Sequence, residues 1–493
     1  MTIDNHPGSR VVSNGVAAPR LTGSDVIAEL DRVFAVQRNA FRTQGAPDLA
    51  RRRQQLRAIE RLLVDHRDEF AAVSVADFGT RGRAETEIAE IVTSLASVRY
   101  MRRHLRAWTK PRRRSTSIWF KPGISRVIPQ PKGVVGVMVP WNFPIHLAIV
   151  PIATALAAGN RVMVKASEYT PATAQLLKRL LATEFDSDTV YVTDGERDVS
   201  EAFSRLPFGH LLFTGSTNVG RSVAQAAAAN LTPVTLELGG KSPVVVAPDY
   251  SLERAAKSIV WGRLQNGGQI CVAPDYVLVP EGKEHDFAHA AQRAAEEMYP
   301  TIAGNPDYTP AIHQGEYDRL QSMLSEVGSA SLVTAGGQPA AGVDERKVPL
   351  TVVVNPPADS QMATREIFGP ILPIFGYRDL DDAIAHINNR DEPLALYVFS
   401  DKRANQDAII SRTASGGVTV NDTLLHYLNP DLPFGGVGAS GMGAYHGREG
   451  FDTFSHLKSV FYQRSIAGRT GVQLLYPPYG RVAEILVSLM RKF

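Results

Sequence analysis

The chain has 493 residues, too many for one hydrophobic core of ordinary size, so we expect two or three lobes, each with its own apolar interior. Its 53 Lys and Arg residues nearly balance 50 Asp and Glu residues, and a net charge of +3 over this length does not indicate nucleic acid as a partner. The single cysteine, Cys271, excludes an intramolecular disulfide and a cysteine-built metal site. It is therefore either an inert buried thiol or a reactive one.

No segment predicts a membrane span or an export signal. The longest apolar run, Ile145–Gly159, is shorter than the ~20 residues that a spanning helix needs, and Pro151 interrupts it. The first twenty residues are polar where a secretory signal would have an apolar core. We therefore expect a cytoplasmic protein in which residues 1–20 form a disordered extension.

Helical periodicity follows this extension. Apolar residues recur at helical spacing over Ser24–Phe41, Asp48–Phe78 and Arg83–Trp108, which predicts three long helices. After a basic patch at Lys110–Arg114, the β-prone segment Ser115–Ile128 indicates a hairpin that projects from the body of the protein. Because the whole chain is nearly neutral, the basic patch indicates a surface or a contact and not a nucleic-acid site.

Strands and helices alternate from Lys132 onward. Repeated βα units of this length predict a doubly wound parallel sheet with helices on both faces, the α/β architecture that binds dinucleotides. A second α/β stretch follows at Ser242–Gly447. In the first series the predicted strands are Val134–Val139, Arg161–Lys165, Thr189–Val192, His210–Thr214 and Val234–Leu238, and the predicted helices are Pro144–Ala158, Pro171–Phe185, Val199–Leu206 and Val219–Asn230.

The Gly-x-Gly-x-x-Gly loop that usually cradles a dinucleotide phosphate follows none of these strands. Instead, the strand ending at Thr214 runs into the small-residue turn Gly215–Gly220 (GSTNVG) and then into a helix. Such a turn offers free backbone N–H groups and the positive end of a helix dipole to a pyrophosphate. Alone it is a weak signal, because glycine-rich turns between strand and helix are common.

Four short motifs accompany that turn: Pro140–Pro144 (PWNFP), Leu236–Lys241 (LELGGK), Gly268–Cys271 (GQIC) and Glu366–Pro370 (EIFGP). In order and interval they resemble the aldehyde dehydrogenase superfamily, and the resemblance covers nearly the whole chain after the extension. Two longer segments, GQICVAPDY at 268–276 and NDTLLHYLNPDLPFGGVGASGMGAYHG at 421–447, look like the class 3 and the fatty or coniferyl aldehyde dehydrogenases.

The residues of these motifs suit the oxidation of an aldehyde to a carboxylic acid. Hydride leaves readily only from an sp3 carbon, so a nucleophile must first add to the carbonyl carbon of the aldehyde. A cysteine thiolate such as that of Cys271 can do so. After hydride has left, the product is a thioester that water can hydrolyse. The resemblance implies that Asn142 and the Cys271 amide stabilise the oxyanion, and that Glu237 is the base that activates water. As isolated residues, Asn142 could be a turn residue and Glu237 a surface carboxylate.

The resemblance also assigns a cofactor site for NAD or NADP. It implies Gly215, Ser216 and Gly220 at the pyrophosphate turn, and Trp141 along the cleft. It places Lys165 and Glu168 at the adenosine ribose, and Glu366 with Phe368 at the nicotinamide ribose and ring. Glu168 would repel a 2′-phosphate placed beside it, but class 3 relatives with a glutamate here often tolerate both cofactors, so the choice between NAD and NADP stays open.

The segment Asn421–Gly447 is expected to close the substrate funnel, with Leu424, Leu425 and Tyr427 as apolar walls that suit an aromatic or a medium-to-long aliphatic aldehyde. No spacing of histidines or carboxylates predicts a metal site. We expect the three histidines in or near the motifs to be structural and hydrogen-bonded: His146, His426 and His446.

The domain organisation is inferred largely from the resemblance. It implies an NAD(P)-binding domain over residues 21–237, a catalytic domain over 238–447 and a C-terminal segment over 448–493 that serves oligomerisation. A hairpin inserted at 112–131 would join the sheet of a partner subunit. We expect a homodimer, with a tetramer as the alternative.

The C-terminus predicts an amphipathic helix, set off from the body by Pro477-Pro478. Its apolar face could pack on the enzyme or its partner, could form a lid at the substrate funnel, or could make weak peripheral contact with a membrane. That face consists of Val482, Ile485, Leu486, Leu489, Met490 and Phe493.

Two functions of other classes remain as alternatives. A thiol-dependent ester hydrolase would use Cys271 without a redox step, but it would leave the dinucleotide-type sheet unexplained and shows no histidine base for the thiol. A non-catalytic homologue with a structural or binding role would be indicated by loss of Cys271 or Glu237, and both are present. Within the enzyme class, acyl-transferring relatives typically lack the deacylating glutamate, so Glu237 favours water as the acyl acceptor.

Overall fold

The computed structural model describes residues 23–327, 332–335, 346–465 and 470–491, so the extension predicted over residues 1–20 lies outside it. The fold begins with helices α1 (Gly23–Gln44), α2 (Leu49–Asp65) and α3 (Arg67–Phe78). The single helix expected over residues 48–78 is wrong, because the backbone leaves the helical region at His66, with φ −113° and ψ 20°. Apolar periodicity continues across this break and therefore did not reveal it.

A π-helix interrupts the third predicted helix. Helix α4 (Arg83–Thr86) runs into a π-helical turn at Glu87–Val92, and α5 (Thr93–Trp108) follows. Single π-helical turns inside longer helices occur often at functional sites. The expectation of one regular α-helix over 83–108 is therefore wrong in its central turn.

The predicted hairpin is present, with its first strand inside the basic patch. Strand β1 (Arg112–Arg114) pairs antiparallel with β2 (Ile124–Pro131), and a 3-10 turn at Ile118–Phe120 lies between them.

The first large sheet is the doubly wound sheet that the alternation predicts. Its parallel strands stand in the order β7-β6-β3-β4-β5. The strands are β3 (Val134–Met138), β4 (Arg161–Lys165), β5 (Val190–Thr193), β6 (His210–Gly215) and β7 (Val234–Leu238). The helices between them are α6 (His146–Ala158), α7 (Pro171–Glu184), α8 (Arg197–Ser204) and α9 (Thr217–Ala228).

Helix α6 explains the longest apolar run of the sequence. All of its residues are buried, so it is apolar on every side, as expected of a helix at the centre of a core.

The second sheet has seven strands and is parallel except for β10 at one edge, in the order β10-β11-β12-β9-β8-β13-β14. Its strands are β8 (Pro243–Val246), β9 (Tyr276–Pro280), β10 (Leu332–Thr334), β11 (Thr351–Val354), β12 (Ile371–Tyr377), β13 (Ala395–Phe399) and β14 (Gly417–Val420). The accompanying helices are α10 (Leu252–Leu264), α11 (Glu284–Met298), α12 (Gln314–Ser325), α13 (Gln361–Thr364), α14 (Leu380–Asn388), α15 (Arg403–Arg412) and α16 (Leu425–Leu428).

The last part of the chain returns to the earlier sheets. Strand β15 (Gly441–Met442) adds to the edge of the first sheet, antiparallel to β7. After α17 (Gly447–Thr453), strand β16 (Ser455–Tyr462) pairs with β2 and completes a three-stranded sheet with the hairpin.

The predicted C-terminal helix is α18 (Arg481–Met490). Of its residues only Ala483 is buried, and Val482, Ile485 and Leu489 on the predicted apolar face are exposed. Leu486 and Met490 on the same face are partly buried, so the described residues cover this face only in part, and Phe493 lies outside them. No helix among the described residues has both the length and the apolarity needed to cross a bilayer.

Candidate functional site

A cleft of about 500 Å³ is lined by residues of the first sheet and by loops and helices that accompany the second. Eight of the residues singled out in the sequence line it, although they lie far apart in the chain. They are Trp141, Asn142, Gly215, Ser216, Glu237, Cys271, Glu366 and Phe368.

Cys271 follows a tightly wound loop. The 3-10 turn Gln265–Gly268 contains three residues with positive φ: Asn266 at 50°, Gly267 at 59° and Gly268 at 81°. At Gly268 a Cβ atom would stand 2.4 Å from the carbonyl carbon of Gly369, so this position needs glycine. The loop that precedes the thiol is thus pressed against the backbone of the EIFGP motif.

The thiol of Cys271 is partly buried, and burial is the main cause that raises its pKa to about 12. The carboxylates of Glu366 and Glu237 raise it further, whereas backbone N–H groups of Cys271 and Val272 donate to the sulfur and oppose this effect. The thiolate therefore forms only when a base or a nearby cation assists it.

Glu237 stands in β7 with Thr214 of β6 on one side and Gly441 of β15 on the other. Its side chain is buried, and neither carboxylate oxygen has a hydrogen-bond partner among the described residues. Burial raises the pKa of this carboxyl well above its usual value of 4.5. A carboxylate whose pKa is raised in this way is a stronger base than an exposed one.

Asn142 follows β3 and is also buried. Its Nδ2 donates to the carbonyl oxygen of Gln269 at 3.1 Å, which ties it to the loop before Cys271. In return, Nδ2 of Asn266 donates to the Asn142 carbonyl at 3.0 Å. An amide carries two N–H donors, so one of those on Asn142 remains for another acceptor.

The far side of the cleft has the features expected for a dinucleotide. Ser216 caps the N-terminus of α9, and the rings of Trp141 and Phe368 meet edge to face at 5.4 Å between centroids. Gly220 does not line the cleft. A Cβ there would stand 2.6 Å from Cδ2 of Leu238, so its small size allows α9 to pack closely on β7.

Lys165 and Glu168 lie at the end of β4, outside the residues that line the cleft. Nζ of Lys165 donates to Oε2 of Glu168 at 2.7 Å, and the lysine is buried while the glutamate is exposed. The pair presents one N–H donor group and one carboxylate at the carboxyl edge of the sheet.

The sequence of this chain is similar to those of known aldehyde dehydrogenases. The profile of the aldehyde dehydrogenase family matches residues 23–460. This chain belongs to the aldehyde dehydrogenase family. It is 46% identical to the probable coniferyl aldehyde dehydrogenase of Pseudomonas aeruginosa, with 94% of this chain and 96% of that protein covered, which confirms the predicted branch.

Solved structures agree with the fold. The substrate-bound aldehyde dehydrogenase (AldH) of Staphylococcus aureus superposes with a TM-score of 0.88 at 37% identity, over 94% of this chain and 99% of that one. An aldehyde dehydrogenase of Mycobacterium tuberculosis complexed with NAD+ reaches 0.81 at 28% identity, over 90% and 91%. The aldehyde dehydrogenase fold is thereby confirmed, and oxidation of an aldehyde is favoured over the two alternative functions.

The predicted funnel walls do not share one environment in this aldehyde dehydrogenase. Leu424 is buried in the main core, whereas Leu425 is 45% exposed. Tyr427 is partly buried, and burial followed by the proximity of Cys271 raises the pKa of its phenol. Of the three, Tyr427 is thus close enough to the Cys271 thiol to be affected by it, and none of the three lines the cleft.

Histidines surround Tyr427. Its ring centroid lies 5.6 Å from that of His146 and 5.5 Å from that of His446. Burial lowers the pKa of His146 and His426 to about 4 and that of His446 to about 3, so all three are neutral at physiological pH.

Their hydrogen bonding differs from the expectation. Nδ1 of His146 lies 3.0 Å from Oγ of Ser94, and Nδ1 of His426 lies 2.7 Å from Oγ1 of Thr419. Neither ring nitrogen of His446 has a hydrogen-bond partner among the described residues. The expectation of a hydrogen-bonded structural histidine is therefore wrong for His446.

Five residues from outside the sequence motifs also line the cleft and were not predicted. Arg319 of α12 donates to the carbonyl of Ile367 at 2.6 Å and to Glu316 at 2.8 Å, and so holds the EIFGP backbone. No motif marks α12, since its residues are ordinary for an exposed helix. The five are Glu316, Arg319, Met323, Gln361 and Arg365.

Across the part of the chain that the structure describes, no three His, Cys, Asp or Glu side chains are grouped as metal ligands.

Proposed function

We propose that this aldehyde dehydrogenase converts aldehydes to carboxylic acids through a thioester on Cys271, with Asn142 as an oxyanion donor and Glu237 as the base that activates water. One observation carries the proposal. A single thiol, a buried carboxyl without a hydrogen-bond partner among the described residues and an amide with a free N–H line the same cleft.

The first step is addition of the Cys271 sulfur to the carbonyl carbon of the aldehyde. Because burial raises the pKa of the thiol to about 12, its proton must be lost to solvent as the C–S bond forms. The carbonyl oxygen becomes an oxyanion, which the free N–H of Asn142 and the backbone N–H of Cys271 stabilise without changing their own protonation.

The residues of the cleft fit a nicotinamide dinucleotide. Ser216 at the start of α9 suits the pyrophosphate, and Glu366 suits the ribose hydroxyls beside the ring of Phe368. When bound, the nicotinamide ring supplies the acceptor for the hydride that leaves the tetrahedral carbon. NAD is favoured over NADP because the Glu168 carboxylate, held by Lys165, would repel a 2′-phosphate.

Hydrolysis of the thioester completes the reaction. Glu237 takes a proton from water as the water oxygen attacks the acyl carbon, and the C–S bond breaks to release the carboxylic acid and the thiol. The buried position of Glu237 favours a proton acceptor of raised pKa over a permanently charged surface carboxylate.

The aromatic surroundings of Tyr427 favour an aromatic aldehyde such as coniferyl aldehyde, with medium-to-long aliphatic aldehydes as the second class. Its ring packs edge to face on Phe434 at 4.9 Å, and with His146 and His446 it forms an aromatic wall next to the thiol. The relative at 46% identity carries coniferyl aldehyde in its name.

Assembly as a homodimer is proposed from the three-stranded sheet. Strand β16 is one edge of that sheet, and an uncovered edge strand is a template for pairing with another chain. Apolar side chains are exposed on the same element, with Ile118 at 73% and Phe120, Phe461 and Tyr462 also exposed. Such a patch is typical of an interface.

The test of the chemistry is Cys271→Ala. We expect loss of aldehyde-dependent NADH formation with cinnamyl-type and aliphatic aldehydes, and unchanged NAD binding by nucleotide fluorescence. Retention of more than a small fraction of the activity would overturn the thioester mechanism. A wild-type enzyme that hydrolyses esters but forms no NADH from any aldehyde would support the thiol hydrolase instead.

A further inference from the structure

The loop that carries Cys271 is held from a distant part of the chain. Glu85, in helix α4, is only 14% exposed at its side chain. One of its carboxylate oxygens accepts a hydrogen bond from the backbone N–H of Asn266, and the other accepts from Oγ1 of Thr309 at 2.7 Å. A carboxylate that accepts two such bonds inside the protein makes strong, directed contacts.

Asn266, which Glu85 holds, is itself hydrogen-bonded to the loops of Asn142 and Cys271. It has left-handed backbone, which asparagine adopts more readily than most residues other than glycine. Its Nδ2 donates to the carbonyl of Asn142 at 3.0 Å and to that of Gln269 at 3.3 Å, and its own carbonyl accepts from Nε2 of Gln269 at 2.8 Å. The loop that precedes the thiol and the loop of Asn142 are therefore tied together at Asn266.

The loop of Asn142 has a separate anchor in the same helical segment. Oε2 of Glu90, in the π-helical turn, accepts from the backbone N–H of Ile145 at 2.7 Å and of His146 at 3.1 Å. Oε1 of Glu90 lies 3.0 Å from Arg81. Glu90 thus contacts the oxyanion loop directly and Glu85 contacts the nucleophile loop, although the buried Arg81 pairs with both carboxylates. We expect removal of Glu85 to act first on the nucleophile loop.

We propose that Glu85 is a positioning residue for this enzyme: its carboxylate fixes the turn Asn266–Gly268 and thereby the place and reactivity of the Cys271 thiol. The inference rests on the proposed function, since it assumes that Cys271 reacts with the substrate. It assigns no contact with substrate or cofactor to Glu85.

The test compares Glu85→Ala with Glu85→Gln, Thr309→Val and a matched control, Glu87→Ala. Glu87 belongs to the same segment but only forms an exposed ion pair with Arg83. Because Cys271 is the only cysteine, the rate of alkylation by iodoacetamide reports on this thiol directly and does not depend on dehydrogenase chemistry.

We expect Glu85→Ala to lower kcat roughly 10- to 100-fold with little change in the aldehyde KM, the scale on which small misplacements of a reacting group act. The alkylation rate should change by several-fold in parallel. Glu85→Gln should retain most of the activity because its amide can accept from Asn266 and donate to Thr309. Thr309→Val should give an intermediate kcat, and Glu87→Ala should match the wild type.

A folded Glu85→Ala enzyme with kcat and alkylation rate within twofold of the wild type would overturn the proposal, as would a loss of kcat with unchanged alkylation. If circular dichroism shows that Glu85→Ala does not fold, kcat and the alkylation rate of Thr309→Val are compared with those of Glu87→Ala. Equal values in the two variants would then overturn the proposal. Failure of the proposed function would be detected in a different experiment, in which the Cys271→Ala enzyme would remain active.

Discussion

The backbone of Gly239 lies so close to the carboxylate of Glu366 that a Cβ atom on residue 239 would stand 1.9 Å from Oε2. The same carboxylate accepts a hydrogen bond from the backbone N–H of Gly240, and burial is the main cause that raises its pKa to about 8. The LELGGK and EIFGP motifs therefore meet at one point, and the glycine permits the contact.

Gly239→Ala should push the flexible Glu366 side chain out of place without unfolding the protein. We expect the KM for NAD to rise by up to about tenfold, the effect of losing one hydrogen bond. The alkylation rate of Cys271 should stay within a factor of a few. Gly480→Ala, where a Cβ meets nothing within 4 Å, is the control. An unchanged KM for NAD would mean that Glu366 does not hold the cofactor.

The pH dependence of Cys271 follows from its raised pKa of about 12. Only the thiolate reacts with iodoacetamide, so in the free enzyme the rate should rise about tenfold per pH unit from about pH 7 to about pH 10, without a plateau. Added NAD should accelerate alkylation, because the positive charge of its nicotinamide ring favours the thiolate. A plateau below about pH 8 in the free enzyme would contradict the environment described.

Glu237→Gln should separate the two halves of the reaction. If Glu237 mainly activates water, a burst of NADH equal to the enzyme concentration should remain, and the steady-state rate should fall by ~10²-fold or more. Rapid mixing with an aromatic aldehyde measures both. Loss of the burst would place Glu237 in the activation of Cys271, and normal turnover would move the base to another residue.

The same variant should change how stability depends on pH. The folded pKa of Glu237 is raised above its usual value of 4.5, so the folded protein keeps this proton where the unfolded chain has lost it. The stabilisation is complete below about pH 4.5 and is lost as the pH rises to the folded pKa. The Tm of Glu237→Gln minus that of the wild type should therefore increase with pH; a pH-independent difference would refute this.

The exposed three-stranded sheet predicts the oligomeric state. We expect the wild type to be a homodimer by light scattering, with a tetramer as the alternative, and Ile118→Asp combined with Phe461→Asp to shift it towards the monomer mass of 53.6 kDa. Val75→Asp, which changes an exposed apolar residue on α3, is the control. A wild-type monomer at micromolar concentration would rule the interface out.

Deletion of residues 481–493 tests the role of α18. Its exposed residues Val482, Ile485 and Leu489 favour a partner over a self-packed helix. Co-sedimentation with anionic vesicles that is lost on deletion would support membrane contact. Unchanged sedimentation with an altered KM for long aldehydes would support a lid, and a loss of the dimer would support an interface.

The sequence alone determined the local elements and pointed to the candidate reacting groups. Strands β4 and β7 begin and end where predicted, because a run of apolar residues between turns is a local signal. A lone cysteine and the motifs around Asn142, Glu237 and Glu366 likewise need no tertiary information. Local periodicity could not reveal the break at His66 or the π-helical turn at Glu87–Val92, since the apolar spacing continues through both.

Only the tertiary structure decided how the site is held and tuned. Glu85 and Asn266 are 181 residues apart in the chain, and β15 pairs with the strand of Glu237 from a distant part of the sequence. Neither contact can therefore be predicted from the local spacing of residues. The raised pKa values of Glu237 and Cys271 likewise arise from burial, which depends on every element packed around them. Residue type determines which group can react, and packing determines its proton affinity and its position.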